Sequence, residues 1–135
     1  MHLWSLGLLI GAFATQSDSE ETAFAEAIIR YELVTGAIAR NSTLCVSIAG
    51  RDVPAIFISH LHDAEVRIMV SNAGCDRRIP FGQPKRLKDG TFEVSYGYFT
   101  PKCENCPTQG HAMSANLSHD QDGWHVIGVQ GGVWL

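Results

Sequence analysis

Long apolar runs are missing from this chain, and so are clusters of basic charge. Leu3 to Ala12, ten uncharged and almost wholly apolar residues, is about half of the ~20 that a membrane-spanning helix needs. No transmembrane helix is therefore expected. Lys and Arg number 10 against 14 Asp and Glu, for a formal charge of −4. The basic residues gather only at Arg77-Arg78 and Lys85-Arg86-Lys88, too sparse for the basic face that nucleic acid requires. Internal repeats and low-complexity tracts are also absent, which sets repeat architectures aside.

Charged side chains do not occur in residues 1–14, MHLWSLGLLIGAFA. A short apolar run closed by the small-x-small triplet Ala12-Phe13-Ala14 is the pattern that signal peptidase reads. Residues 1–14 are therefore expected to be a signal peptide cleaved after Ala14. Residues 15–135 would form a single domain in an exported, periplasmic or secreted setting. No cysteine stands at the cleavage point, so no lipoprotein anchor is indicated.

What is present reads as helix first and strands afterwards. Ser17 with Glu20, and Asp18 with Glu21, match the capping-box spacing, in which side chains bind the free amides of a first helical turn. Phe24, Ala27, Ile28, Tyr31, Val34 and Ile38 follow at helical spacing. This predicts an amphipathic helix from about residue 19 to 40. Leu44, Val46 and Ile48 alternate with Cys45, Ser47 and Ala49 as in a strand. Asp52 is placed to cap a short helix with Pro54 in its first turn, and Ile56, Phe57 and Leu61 would be its buried side. Val66 to Val70 is a second β-like run. Lys88-Asp89-Gly90 is a hairpin signal, because Asp-Gly tolerates the positive φ of a tight turn. Phe92, Val94, Tyr96 and Tyr98 then alternate with Glu93, Ser95, Gly97 and Phe99. Ala112 to Ser118 and Trp124 to Trp134 read as the last two strands, joined at Asp120-Gln121-Asp122-Gly123. Gly128, Gly131 and Gly132 suggest a bend or bulge there.

The resulting expectation is an α+β fold. One long N-terminal helix and a short helix pack against a curved antiparallel sheet of about four to five strands. The closing pattern EVSYGYF…AMSANLSHDQDGWHVIGVQGGVWL resembles the C-terminal half of small NTF2-like or cystatin-like domains, where a DGW-x-V turn leads into the last strand. LCVSIAG before a Pro-capped helix, with a cysteine after the next strand, is similar to a group of small exported bacterial proteins. The resemblance implies a fold and no particular activity, since such folds host isomerases, dehydratases, inhibitors and binding modules alike.

Four cysteines in an exported chain read as two disulfides with three possible connectivities. Chain entropy gives roughly 1.9 kcal/mol for a Cys103–Cys106 ring, about 3.7 for Cys45–Cys75 and roughly 4.2 for Cys45–Cys103, too close to choose among them. Geometry favours Cys45–Cys75 as a staple across the short helix, leaving Cys103 and Cys106 as neighbours in one loop. The CENCPTQGH stretch that holds them lacks the helix N-terminus that lowers the pKa of a catalytic thiol. It also lacks the second ligand pair of a structural zinc site. No metal, cofactor or catalytic residue is therefore assigned. His60 and His62 lie two apart, on different faces of a helix, and read as polar residues at its end.

For function, the residues suggest a non-catalytic exported domain that binds an unknown protein or small ligand. Phe99, Thr100 and Pro101, next to the stapled 103–106 tip, would form the contact loop, because function collects on rigidified loops. The alternative is an NTF2-like pocket protein, an isomerase- or dehydratase-like enzyme or a carrier, acting on a small apolar molecule. Tyr96, Tyr98 and His125 would line that pocket.

Overall fold

The structure, a computed structural model, describes residues 20, 22–69, 74–100 and 109–134. The expected signal segment and the expected contact loop with Pro101, Cys103 and Cys106 lie outside these residues.

The first helix, α1, covers residues 22–35. Its inward face is made by Phe24, Ala25, Ile28, Ile29 and Glu32, whereas Val34 is 88% exposed. Residues four apart stack along one side of a helix, so 24, 28 and 32 form one ridge and 25 and 29 the next. The buried stripe is thus rotated from the expected one, and it carries an acid. The helix stops five residues short of the expected end because Gly36 takes a left-handed φ of +87°, the usual way to leave a helix. Beyond it, the Ile38 amide donates back to the Glu32 carbonyl at 3.1 Å, and Ile38 is buried.

Among the described residues, eight strands and a second helix follow: β1 (Thr43–Ile48), β2 (Arg51–Asp52), α2 (Ala55–His60), β3 (Arg67–Met69), β4 (Arg77–Phe81), β5 (Lys85–Arg86), β6 (Phe92–Phe99), β7 (Gly110–Asp120) and β8 (Gly123–Trp134). They form one sheet in the order β2-β1-β4-β6-β7-β8, with β3 added beside β1 and β5 beside β6. The α+β class holds, but the sheet is mixed instead of antiparallel and has more strands than expected. β1 runs parallel to β3 and β4, and parallel pairing requires a crossover, which the stretch containing β2 and α2 supplies. β2, β3 and β5 are only two or three residues long, too short to show a period. β4 is hidden by its sequence, RRIPF, in which Pro80 argues against a central strand. The ladder to β6 accommodates it, with pairs at Arg78↔Phe99 and Phe81↔Tyr96 on either side of Pro80.

α2 begins at an N-cap Pro54 that has no side-chain hydrogen bond. Asp52 does not cap it, because it lies in β2 opposite Ser47. Phe57 and Leu61 are buried as expected, and Ile56 is 60% exposed. Polar contacts tie the two helices together. Arg30 donates to the His60 carbonyl at 2.8 Å and to Asp63 at 3.2 Å, and Glu26 meets His60 Nδ1 at 3.1 Å. Between the helices and the sheet lies one apolar core that includes Phe24, Ile28, Leu44, Val46, Phe57, Leu61, Ile79, Phe81, Val94 and Leu117.

Cys45 and Cys75 form a disulfide with their Cα atoms 5.7 Å apart. The bond closes the crossover between β1 and β4. β7 and β8 pair along their length, with register shifts between His111 and Met113 and between Asn116 and Leu117. The bend suggested by the glycines of β8 is present as these irregularities.

Candidate functional site

Along β6 the alternation predicted from sequence sends Val94, Tyr96 and Tyr98 toward the helices. The paired residues of β7 on the same face are Ala115, Met113 and His111, because directly opposed side chains share a side of the sheet. The same rule places Arg77 of β4 on this face, since it is paired with the buried Leu44.

Where α1 ends and the chain turns outward after Gly36, these side chains are left uncovered by helix. A cleft of about 890 Å³ opens there, within the range of small-molecule sites. Its apolar wall is Ala37, Ile38, Ala39, Tyr98 and Met113, and its polar margin is Ser42, Asp76, Arg77, Thr100, Gln109 and His111. Thr100 and Gln109 are locked to each other across the mouth. The Thr100 amide donates to the Gln109 carbonyl at 2.9 Å, and the Gln109 amide donates to Thr100 Oγ1 at 3.2 Å.

Behind the Tyr98 ring lies a buried polar cluster. Glu32 is only 3% exposed, and its Oε1 accepts a hydrogen bond from the Tyr96 hydroxyl at 2.8 Å. The two tyrosine rings meet edge to face at 5.7 Å. The Tyr98 hydroxyl is buried beside both groups, close enough to sense them electrostatically but without hydrogen-bond geometry to either. Burial first, then the hydrogen bond and charge of Glu32, hold the Tyr96 phenol well above its ordinary pKa. Tyr98 is raised further, by burial and then by its neighbours Tyr96 and Glu32. Both phenols therefore stay neutral across the physiological range.

The residues singled out from sequence do not all converge. Tyr98 lines the cleft, and Tyr96 sits behind it against Glu32. His125 is not with them. It pairs with Ser118 on the opposite face of the sheet, half-exposed, and its Nε2 lies 3.0 Å from Asp120 Oδ1. Thr100 is at the cleft margin. Phe99 is half-buried, its ring crossing Gly97 and Gly110 on the outer face with the Arg78 guanidinium 5.6 Å from its centroid. Pro101, Cys103 and Cys106 lie outside the described residues.

Glu32 is the residue that sequence reasoning missed. The signal was available, since Glu32 continues the Phe24 and Ile28 ridge at the next helical interval. Among the described residues no three His, Cys, Asp or Glu side chains gather as a metal centre. A second aromatic cluster, with His119 stacked on Trp124 at 4.5 Å and Phe92 against the same indole at 4.9 Å, closes the far end of the core. No family model, curated protein or solved structure matches the chain.

Proposed function

We propose that the protein is an exported binding domain whose cleft takes up a small, largely apolar molecule. The observation that carries this reading is the cleft itself, a concavity of about 890 Å³ whose surface is mostly apolar, with Ile38, Tyr98 and Met113 beside polar groups such as Ser42, Thr100 and His111. That distribution is typical of sites that hold an apolar body and orient it with a few polar contacts.

Binding is favoured over catalysis because both acids near the cleft are engaged, Glu32 by the Tyr96 hydroxyl and Asp76 by the Thr43 amide, which leaves His111 on the lining for acid–base work. A general acid or base must reach the proton it transfers. Binding through the cleft is also favoured over binding through the Phe99 side chain, whose ring is already committed to Gly97 and Gly110. The Cys45–Cys75 disulfide supports export, since such bonds persist in oxidising compartments. Among the described residues no helix is long and apolar enough to cross a membrane. The NTF2-like or cystatin-like resemblance of the closing sequence belongs to the same proposal.

Thermal unfolding with a panel of small apolar molecules tests this reading. A ligand present at a hundred times its Kd stabilises the fold by about 2.7 kcal/mol, so at least one chemical class should raise Tm by several degrees. A panel of apolar acids, alcohols and amines that leaves Tm unchanged at millimolar concentration would overturn it.

A further inference from the structure

The cleft has an apolar wall but an asymmetric margin. Among the described residues, Arg77 is the only Lys or Arg that lines it. The strand register puts it on the cleft face, and it is exposed there. Its guanidinium donates one hydrogen bond, from Nη1 to the Asp76 carbonyl at 3.2 Å. Among the described residues it has no carboxylate partner, whereas Arg30 and Arg40 are each paired with one. The acid beside it, Asp76, also lines the cleft, but one of its oxygens is held by the neighbouring strand. Asp76 Oδ2 accepts the Thr43 amide at 2.8 Å, and the Asp76 amide donates to the Thr43 carbonyl at 2.7 Å. One cationic fork therefore stands at the mouth of an apolar hollow, with no bond to the neighbouring Asp76 carboxylate, whose Oδ2 is taken by the Thr43 amide.

A guanidinium presents parallel N–H donors that match the two oxygens of a carboxylate. We propose that the ligand is an amphipathic monocarboxylate. Its hydrocarbon or aromatic body lies against Ile38, Tyr98 and Met113, and its carboxylate sits on Arg77. This rests on the cleft being a ligand site, and the test separates the two ideas. A cationic ligand is disfavoured by Arg77, and a neutral one leaves the fork unused.

Isothermal titration of the whole protein with octanoate, octanol and octylamine compares one hydrocarbon with three head groups. Octanoate should bind tightest. Arg77→Gln should weaken octanoate roughly tenfold or more, the value of a charge-assisted hydrogen bond, and leave octanol unchanged. Arg77→Lys, which keeps the charge and loses the fork, should fall between. Because Arg77 is exposed, both variants are expected to fold, and circular dichroism checks this. Octanol or octylamine binding as well as octanoate, or Arg77→Gln leaving octanoate affinity intact, overturns the carboxylate assignment while the cleft remains a ligand site. If none of the three binds, the ligand site itself falls and the assignment falls with it.

Discussion

The Tyr96 hydroxyl donates to the Glu32 carboxyl at 2.8 Å across 64 residues of sequence, and this contact joins the end of α1 to the middle of the sheet. Among the described residues, Glu32 is the only charged one that is buried. It is the last buried residue of α1 before Gly36, where the helix ends. Tyr96→Phe removes its one hydrogen-bond donor and leaves a buried carboxyl unsatisfied, which costs about 1–3 kcal/mol. Urea unfolding should show a lower midpoint at unchanged slope. An unchanged midpoint would show that the pair does not hold the helix.

The same cluster makes an alkaline signature. The Tyr96 and Tyr98 phenols are raised in the folded state. Their contribution to stability is therefore complete below the ordinary tyrosine pKa of about 10 and is lost as pH climbs toward the folded values. Tyrosinate absorbance should show these two phenols resisting ionisation past pH ~10 and then ionising together with loss of secondary structure. Ionisation of both near pH ~10 in a folded protein would contradict the burial of the cluster.

Cys45–Cys75 closes the crossover that makes the sheet mixed, and with it the strand that carries Arg77. Removing a native disulfide from a small domain costs roughly 2–5 kcal/mol. Reductant, or the Cys45→Ala/Cys75→Ala double variant, should lower Tm markedly by calorimetry. Equal Tm values with and without reductant would mean that the bond adds nothing to the fold.

Gly97 and Gly110 admit the Phe99 ring. A Cβ on Gly97 would lie 2.9 Å from the His111 carbonyl oxygen, and one on Gly110 would overlap both the Phe99 ring and the Tyr98 carbonyl oxygen. Those contacts involve backbone, so the structure yields with difficulty, and overpacking of this kind costs about 1–3 kcal/mol. Gly110→Ala and Gly97→Ala should each lower the urea midpoint by that amount. Gly128→Ala, where a Cβ meets nothing within 4 Å, serves as the control in the same strand system. Equal effects at all three positions would remove the packing argument.

The parts of this fold that repeat a period were legible in the sequence. Phe92, Val94, Tyr96 and Tyr98 alternate cleanly, and they form β6 facing the core and cleft. Asp89-Gly90 marks the β5–β6 hairpin, where Gly90 takes φ +87°. The Cys45–Cys75 pairing followed from the positions of the two cysteines. What escaped was contextual. β4 carries two arginines and a proline, and only its neighbours β1 and β6 make it a central strand. Glu32 stood on the wrong side of the expected helix because Tyr31 and Val34 appeared to define the apolar stripe. The partner that lets an acid replace them is Tyr96, far away in sequence. His125 was readable as outward-facing once Trp124 and Val126 are placed inward, since a strand alternates. Ile127 is the extra residue between the pairs Leu117↔Val126 and Asn116↔Gly128, and it breaks that pattern.

The central claim is that the cleft between the end of α1 and the β6–β7 face holds a small apolar ligand. Titrating octanoate into isotope-labelled protein while following side-chain methyl resonances tests it most directly. The account expects saturable shifts at the Met113 and Ile38 methyls, which line the cleft, and none at Val34 or Ile127, which are exposed elsewhere. Shifts centred on Val34 or Ile127, or no saturable shift at Met113 and Ile38, would contradict it.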